Sequence, residues 1–185
     1  AHGKDVPVLL DAKRGDIGNT ARQYAEILDV VDAITVNPYL GGDSLQPFLD
    51  RADKGIFVLC RTSNSGGADL QDLELGSGET VYERVAGLAE AWNTNDNVGL
   101  VVGATAPAEL EEIRELVPDL PFLVPGVGAQ GGDEEAAVEY GLADGVGLVN
   151  SSRGIIFAGE DAAGDYFEAA GAAAKRLKDG LNRHR

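Results

Sequence analysis

A chain of 185 residues with 44% hydrophobic content supports one well-buried core and hardly two. Thirty-one acidic side chains against fifteen basic ones leave a net charge of −16, which repels nucleic-acid backbones and anionic membranes and excludes both as partners. The acids are scattered rather than gathered in a tail, as on a heavily hydrated surface suited to concentrated salt or, alternatively, on an ordinary acidic cytosolic enzyme.

The first predicted strand is Val6–Asp11. Its apolar lead-in, Val6-Pro7-Val8-Leu9-Leu10, runs into Asp11-Ala12-Lys13-Arg14-Gly15-Asp16. Alternate residues of an extended segment share a face, so Asp11 and Lys13 point the same way. If that face is interior, an ammonium sits between carboxylates where water is scarce, a costly arrangement of the kind chemistry uses. The same residues also fit a solvated turn with local ion pairs, with Asp16 as the N-cap of the next helix. The pattern alone leaves both open.

Helical spacing follows at Ile17, Ala21, Tyr24, Ala25 and Leu28. A second strand is predicted over Ala33–Asn37. A short helix carrying Leu45, Phe48, Leu49 and Ala52 comes next, capped by Asp43 or Ser44. The third strand, Ile56–Arg61, holds Cys60, which reads as a small core residue; as the sole cysteine it permits no internal disulfide. The polar stretch Thr62 to Gly78 is the longest irregular region and a candidate active-site loop. Beyond it lie a helix through Val81, Val85, Leu88, Ala89 and Trp92, a strand at Val98–Gly103, and a helix opened by Pro107. A strand at Pro121–Pro125, a helix from about Asp133 closed by Gly141, a strand at Gly145–Val149, and a helix through Tyr166 and Leu181 complete the pattern.

Strands alternating with helices, the strands nearly uniformly apolar, predict a parallel α/β sheet in a single domain over residues 1–185. Six units fit an open doubly wound sheet or most of an eight-stranded barrel, although a complete barrel typically takes ~250 residues. Either way, polar groups gather at the carboxyl ends of the strands, where ligands bind. One such end, Gly126-Val127-Gly128-Ala129-Gln130-Gly131-Gly132, contains a literal G-x-G-x-x-G. Too little chain follows it for a dinucleotide domain. A phosphate cradle late in a barrel fits better, with Arg153 past the next strand as a bidentate guanidinium. The two histidines, His2 and His184, sit near opposite termini, so neither a His-rich metal cluster nor a Ser-His-Asp triad is expected. No apolar stretch approaches the ~20 residues of a membrane span, and the opening residues lack a signal-peptide pattern, so a cytoplasmic location is expected.

Asp11-Ala12-Lys13-Arg14-Gly15-Asp16-Ile17-Gly18-Asn19-Thr20 resembles the Asp-x-Lys-x-x-Asp signature of orotidine 5′-phosphate decarboxylase, in the wording found in mycobacteria and some archaea. Further similar segments follow in order: Thr35 to Gly41, Arg61-Thr62-Ser63-Asn64, Val101 to Thr105, Pro125 to Gly131, and Asn150 to Ile155. The resemblance implies a homodimeric (β/α)8 TIM barrel that converts orotidine 5′-phosphate to UMP in pyrimidine synthesis without cofactor or metal. By it, Lys13 is the proton donor to C6 and Asp11 lies near the departing carboxylate. Asp16 reaches across the dimer interface into the neighbour's site, helped by Ile17 and Thr20. Ser63 meets the pyrimidine edge, while Pro125, Gln130 and Arg153 belong to the substrate and phosphate grip. The first two βα units of that barrel, with an aspartate and a lysine of the charge network, have no counterpart in this sequence, whose six strands correspond to strands three to eight. Ser65 stands where the family often has proline. Two other functions stay open: a magnesium-dependent sugar-phosphate lyase or decarboxylase of the same barrel superfamily, and a non-catalytic phosphate-binding remnant.

Overall fold

The computed structural model describes residues 4–105, 107–127, 132–142, 147–160 and 165–185. Among them six strands form one parallel sheet: β1 (Leu9–Arg14), β2 (Ala33–Val36), β3 (Gly55–Arg61), β4 (Val98–Val102), β5 (Phe122–Pro125) and β6 (Gly147–Asn150). Their spatial order is their chain order. A doubly wound sheet reverses direction at a switch point, and no reversal occurs in this sheet. Right-handed crossovers that never reverse place every helix on one face and curl the sheet toward the other.

The side chains obey that geometry. Ile56, Val58 and Cys60 of β3, Val98, Leu100 and Val102 of β4, and Phe122 and Val124 of β5 point outward into the main core. There they meet α1 (Gly18–Ala25), α2 (Gly42–Leu49), α3 (Val81–Trp92), α4 (Pro107–Leu116) and α5 (Glu134–Glu139). Phe48 and Phe122 are fully buried there, and each contributes about 1.5–3 kcal/mol of apolar transfer. The alternate positions Phe57, Val101 and Leu123, with Leu9, Ala33 and Leu59 against them, form a smaller cluster made only of strand residues. That cluster lies on the helix-free face of the curled sheet. Two further helices, α6 (Arg153–Ile156) and α7 (Tyr166–Leu181), follow β6.

At the opposite end from the site, Arg114 of α4 lies 3.6 Å from the Phe122 ring centroid. It donates to the carbonyls of Tyr140 (2.8 Å), Pro118 (2.9 Å) and Leu120 (2.9 Å). One guanidinium thereby closes two loops whose carbonyls would otherwise go unpaired.

Several local expectations need correction. The first strand begins three residues later than its apolar lead-in predicts, at Leu9, so Asp11 and Lys13 lie within it. Helix α1 starts at Gly18 with Ile17 in the N-cap position, and Asp16 instead accepts the adjacent Ile17 N–H (2.8 Å). Neither Asp43 nor Ser44 caps α2: the cap is Gly41 at φ +85°, a backbone region open to glycine, and the Ser44 hydroxyl donates back to the Gly41 carbonyl (2.6 Å). The stretch after β3, expected to be irregular, holds some regular structure. It makes a short 3-10 helix at Ser65–Asp69 and an antiparallel bridge between Glu74 and Thr80. Among the described residues no helix is long and apolar enough to cross a membrane.

Candidate active site

An open cavity of about 800 Å³ lies at the carboxyl ends of the strands. Leu9, Asp11 and Lys13 of β1 line it together with Leu148 and Asn150 of β6, the two edges of the sheet. Residues from opposite edges can face one cavity only because the sheet curls around it. Leu59, Val101 and Leu123 give it an apolar base, and Thr62, Ser63, Asn64, Pro125, Gly126 and Arg153 give it a polar rim.

The charged pair stands at this rim. Lys13 Nζ donates to Asp11 Oδ1 at 2.5 Å, with both side chains about half exposed. Lys13 has φ +49°, a left-handed backbone unusual for a side-chain-bearing residue, and the β1–β2 register slips between Leu10 and Arg14. The irregularity re-aims the end of the strand, as bulges beside ligand sites do. Thr35 on β2 holds the geometry in place. Its buried hydroxyl donates to Asp11 Oδ1 (2.9 Å) and accepts the Lys13 backbone N–H (2.9 Å). A single hydroxyl thus orients the carboxylate and anchors the strained residue that carries the ammonium.

Of the residues singled out in the sequence, Lys13, Asp11, Ser63, Pro125 and Arg153 line the cavity. Asp16, Ile17 and Thr20 do not; Ile17 is 61% exposed on the outer surface. Within the chain, Asp11 is the carboxylate paired with Lys13, and Asp16, expected to serve the neighbour's site, does not line its own cavity. Of the two environments the pattern left open, both side chains stand at a half-solvated mouth. Gln130 lies outside the described residues; of the described residues on either side, the Gly132 N–H donates to the Gly126 carbonyl (3.1 Å). Sequence reasoning missed Thr35. The signal was present, because Ala33, Thr35 and Asn37 alternate onto the inner face of a strand whose other residues are apolar. Among the described residues no group of three or more His, Cys, Asp or Glu side chains is placed to hold a metal ion.

The model of the orotidine 5′-phosphate decarboxylase / HUMPS family matches residues 1–165. The chain belongs to this family. A relative from Halorubrum lacusprofundi named orotidine 5′-phosphate decarboxylase is 74% identical over 196 residues, covering all of this chain and 71% of the relative. The solved structure of Leishmania donovani OMP decarboxylase superposes with a TM-score of 0.80 at 45% identity, covering 96% of this chain and 69% of that one. Leishmania donovani UMP synthase gives 0.85 at 49% identity; 98% of this chain is covered, but only 40% of that longer protein.

Proposed function

We propose that the cavity takes orotidine 5′-phosphate and releases UMP and CO2, with Lys13 as the acid. The observation that carries this reading is the Lys13–Asp11 pair, 2.5 Å apart, on the rim of a cavity at the carboxyl mouth of the strands. Breaking the bond from C6 to its carboxylate leaves an electron pair in the plane of the pyrimidine, poorly delocalised. A fixed ammonium beside that carbon is favoured far more by the transition state than by the ground state, where charge still sits on the carboxylate. The Lys13 proton then passes from Nζ to C6, and no redox partner or metal is needed for the balance. Asp11 holds the ammonium and faces the departing carboxylate. Ser63 meets the pyrimidine edge. Arg153, with Gln130 and the loop after Pro125, grips the phosphate, whose binding energy can order the site far from the reacting carbon.

The same reading makes the active unit a homodimer. Asp16, Ile17 and Thr20 do not line their own cavity, and Ile17, Tyr39 and Leu40 expose apolar surface. In a two-fold dimer these residues would enter the partner's site and bring the second carboxylate to its lysine. The six strands are then strands three to eight of an eight-stranded barrel, with two further βα units seated between β1 and β6. Leu148, an inner-face residue that is 45% exposed on the edge strand, supports that placement. The place of work is the cytoplasm.

The test is UMP formation from orotidine 5′-phosphate by the full chain, with and without EDTA. Turnover that survives chelation supports the proposal. Loss on chelation supports a magnesium-dependent lyase, and no turnover in either condition supports a binding remnant.

A further inference from the structure

The end of β3 is held more elaborately than a loop junction requires. The β3–β4 register slips between Leu59 and Arg61, which turns the Arg61 side chain away from the barrel interior. The guanidinium is buried beside Asp72 (3.2 Å) and Glu109 (3.6 Å). From there Nη1 donates to the Thr62 carbonyl (3.1 Å) and to Gln71 Oε1 (3.3 Å). Gln71 in turn accepts the Thr62 N–H (2.9 Å) and donates Nε2 to the Thr62 hydroxyl (2.9 Å). On the other side, the Thr105 hydroxyl donates to the Ser63 carbonyl (3.1 Å). Beneath them Gly103 leaves the space: a Cβ there would stand 2.8 Å from Ser63 N, Cα and Cβ.

The peptide plane before Ser63 is therefore fixed by Arg61 and the plane after it by Thr105. Since φ and ψ are the two soft dihedrals of a residue, holding both planes sets where the Ser63 side chain points. Arg61, Gln71 and Thr105 do not themselves line the cavity, whereas Ser63 does. We infer that Arg61, Gln71 and Thr105 form a clamp that positions Ser63 against the pyrimidine; this rests on the reading of Ser63 as a substrate contact. They are positioning residues and act through Ser63 alone.

The experiment uses the full chain carrying Thr105→Val, Gln71→Ala or Arg61→Lys, each alone and with Ser63→Ala. Singly, Thr105→Val and Gln71→Ala are expected to lower kcat/KM for orotidine 5′-phosphate by about tenfold, since small misplacements of a contacting group are costly. Amide hydrogen exchange at Thr62, whose N–H Gln71 accepts, should speed up in Gln71→Ala. In the Ser63→Ala background the same changes should add less than about twofold, because the residues act as one unit. Arg61→Lys should behave like the other two, since an ammonium lacks the fork that spans Thr62, Gln71 and Asp72. A full tenfold effect persisting on top of Ser63→Ala, or unaltered exchange at Thr62 in Gln71→Ala, overturns the clamp. Failure of the functional reading looks different: the unsubstituted protein makes no UMP, while Gln71→Ala still accelerates exchange at Thr62. Thr105→Val, on the surface and isosteric, keeps the test sound if Arg61→Lys fails to fold.

Discussion

Lys13 is held in a left-handed backbone conformation that costs a residue with a Cβ about 1–2 kcal/mol. The Thr35 hydroxyl offsets part of that cost by accepting its N–H, and the strain is spent where the ammonium is aimed. Two consequences can be separated. Lys13→Ala should abolish turnover while UMP binding stays measurable by calorimetry; near-normal turnover would refute the assignment of the acid. Lys13→Gly should be equally inactive yet melt about 2–4 °C higher than Lys13→Ala, because glycine carries the positive φ without strain. Cys60 shows the opposite economy. Burial pushes its thiol from 9.0 up to about 12, against a smaller opposing pull from the Arg61 charge. The fold thus favours the neutral thiol, so its contribution is complete below pH 9 and is lost as pH rises from 9 through about 12. A urea midpoint that falls across that alkaline window in the wild type, and falls less steeply in Cys60→Ala, is the expected result.

At the scale of elements, α3 is the best-defined helix start. The Thr80 hydroxyl accepts the Glu83 N–H (3.3 Å) while Glu83 Oε2 accepts the Thr80 N–H (2.6 Å), so two otherwise orphaned donors are satisfied reciprocally. Thr80→Ala should therefore cost about 1 kcal/mol, read from the urea midpoint, with an unchanged slope. A loss below a few tenths of that would show that packing of Tyr82, Ala86 and Ala89 alone holds the helix. Elements also set how much of the site could be read in advance. The strands and most helices were legible, because apolar runs and helical spacing are local signals. The cap of α2 was not: it depends on Gly41 at positive φ, and Asp43 and Ser44 nearby look like better caps in one dimension. Nor was the course of the stretch after Thr62, whose order comes from Gln71 folding back within it and from Arg61 and Thr105 outside it.

For the whole molecule, the charge of −16 is the dominant long-range term. Like charges spread over a small surface repel the folded state more strongly than the expanded one, and salt relieves this as the screening length drops from about 10 Å at 0.1 M to about 3 Å at 1 M. The melting temperature should accordingly rise steadily between 0.1 M and 2 M KCl in scanning calorimetry; a flat or falling curve would contradict it. Kinship with the Halorubrum lacusprofundi protein fits the same picture of a halophilic source. Curling the sheet in chain order gives one mouth, where the polar ends of successive strands meet.

The sequence by itself determined the parallel α/β alternation, the burial of the central strands β3, β4 and β5, and the chemical types available at the strands' carboxyl ends. Those are consequences of hydrophobic periodicity, which each segment carries alone. Only the tertiary structure decided which polar groups meet. The bulge at Lys13, the sharing of the Thr35 hydroxyl, the outward turn of Arg61 and the absence of Asp16 from its own cavity all depend on register and curvature between strands. Register and curvature are set by packing across the sheet, and no single stretch of chain encodes them.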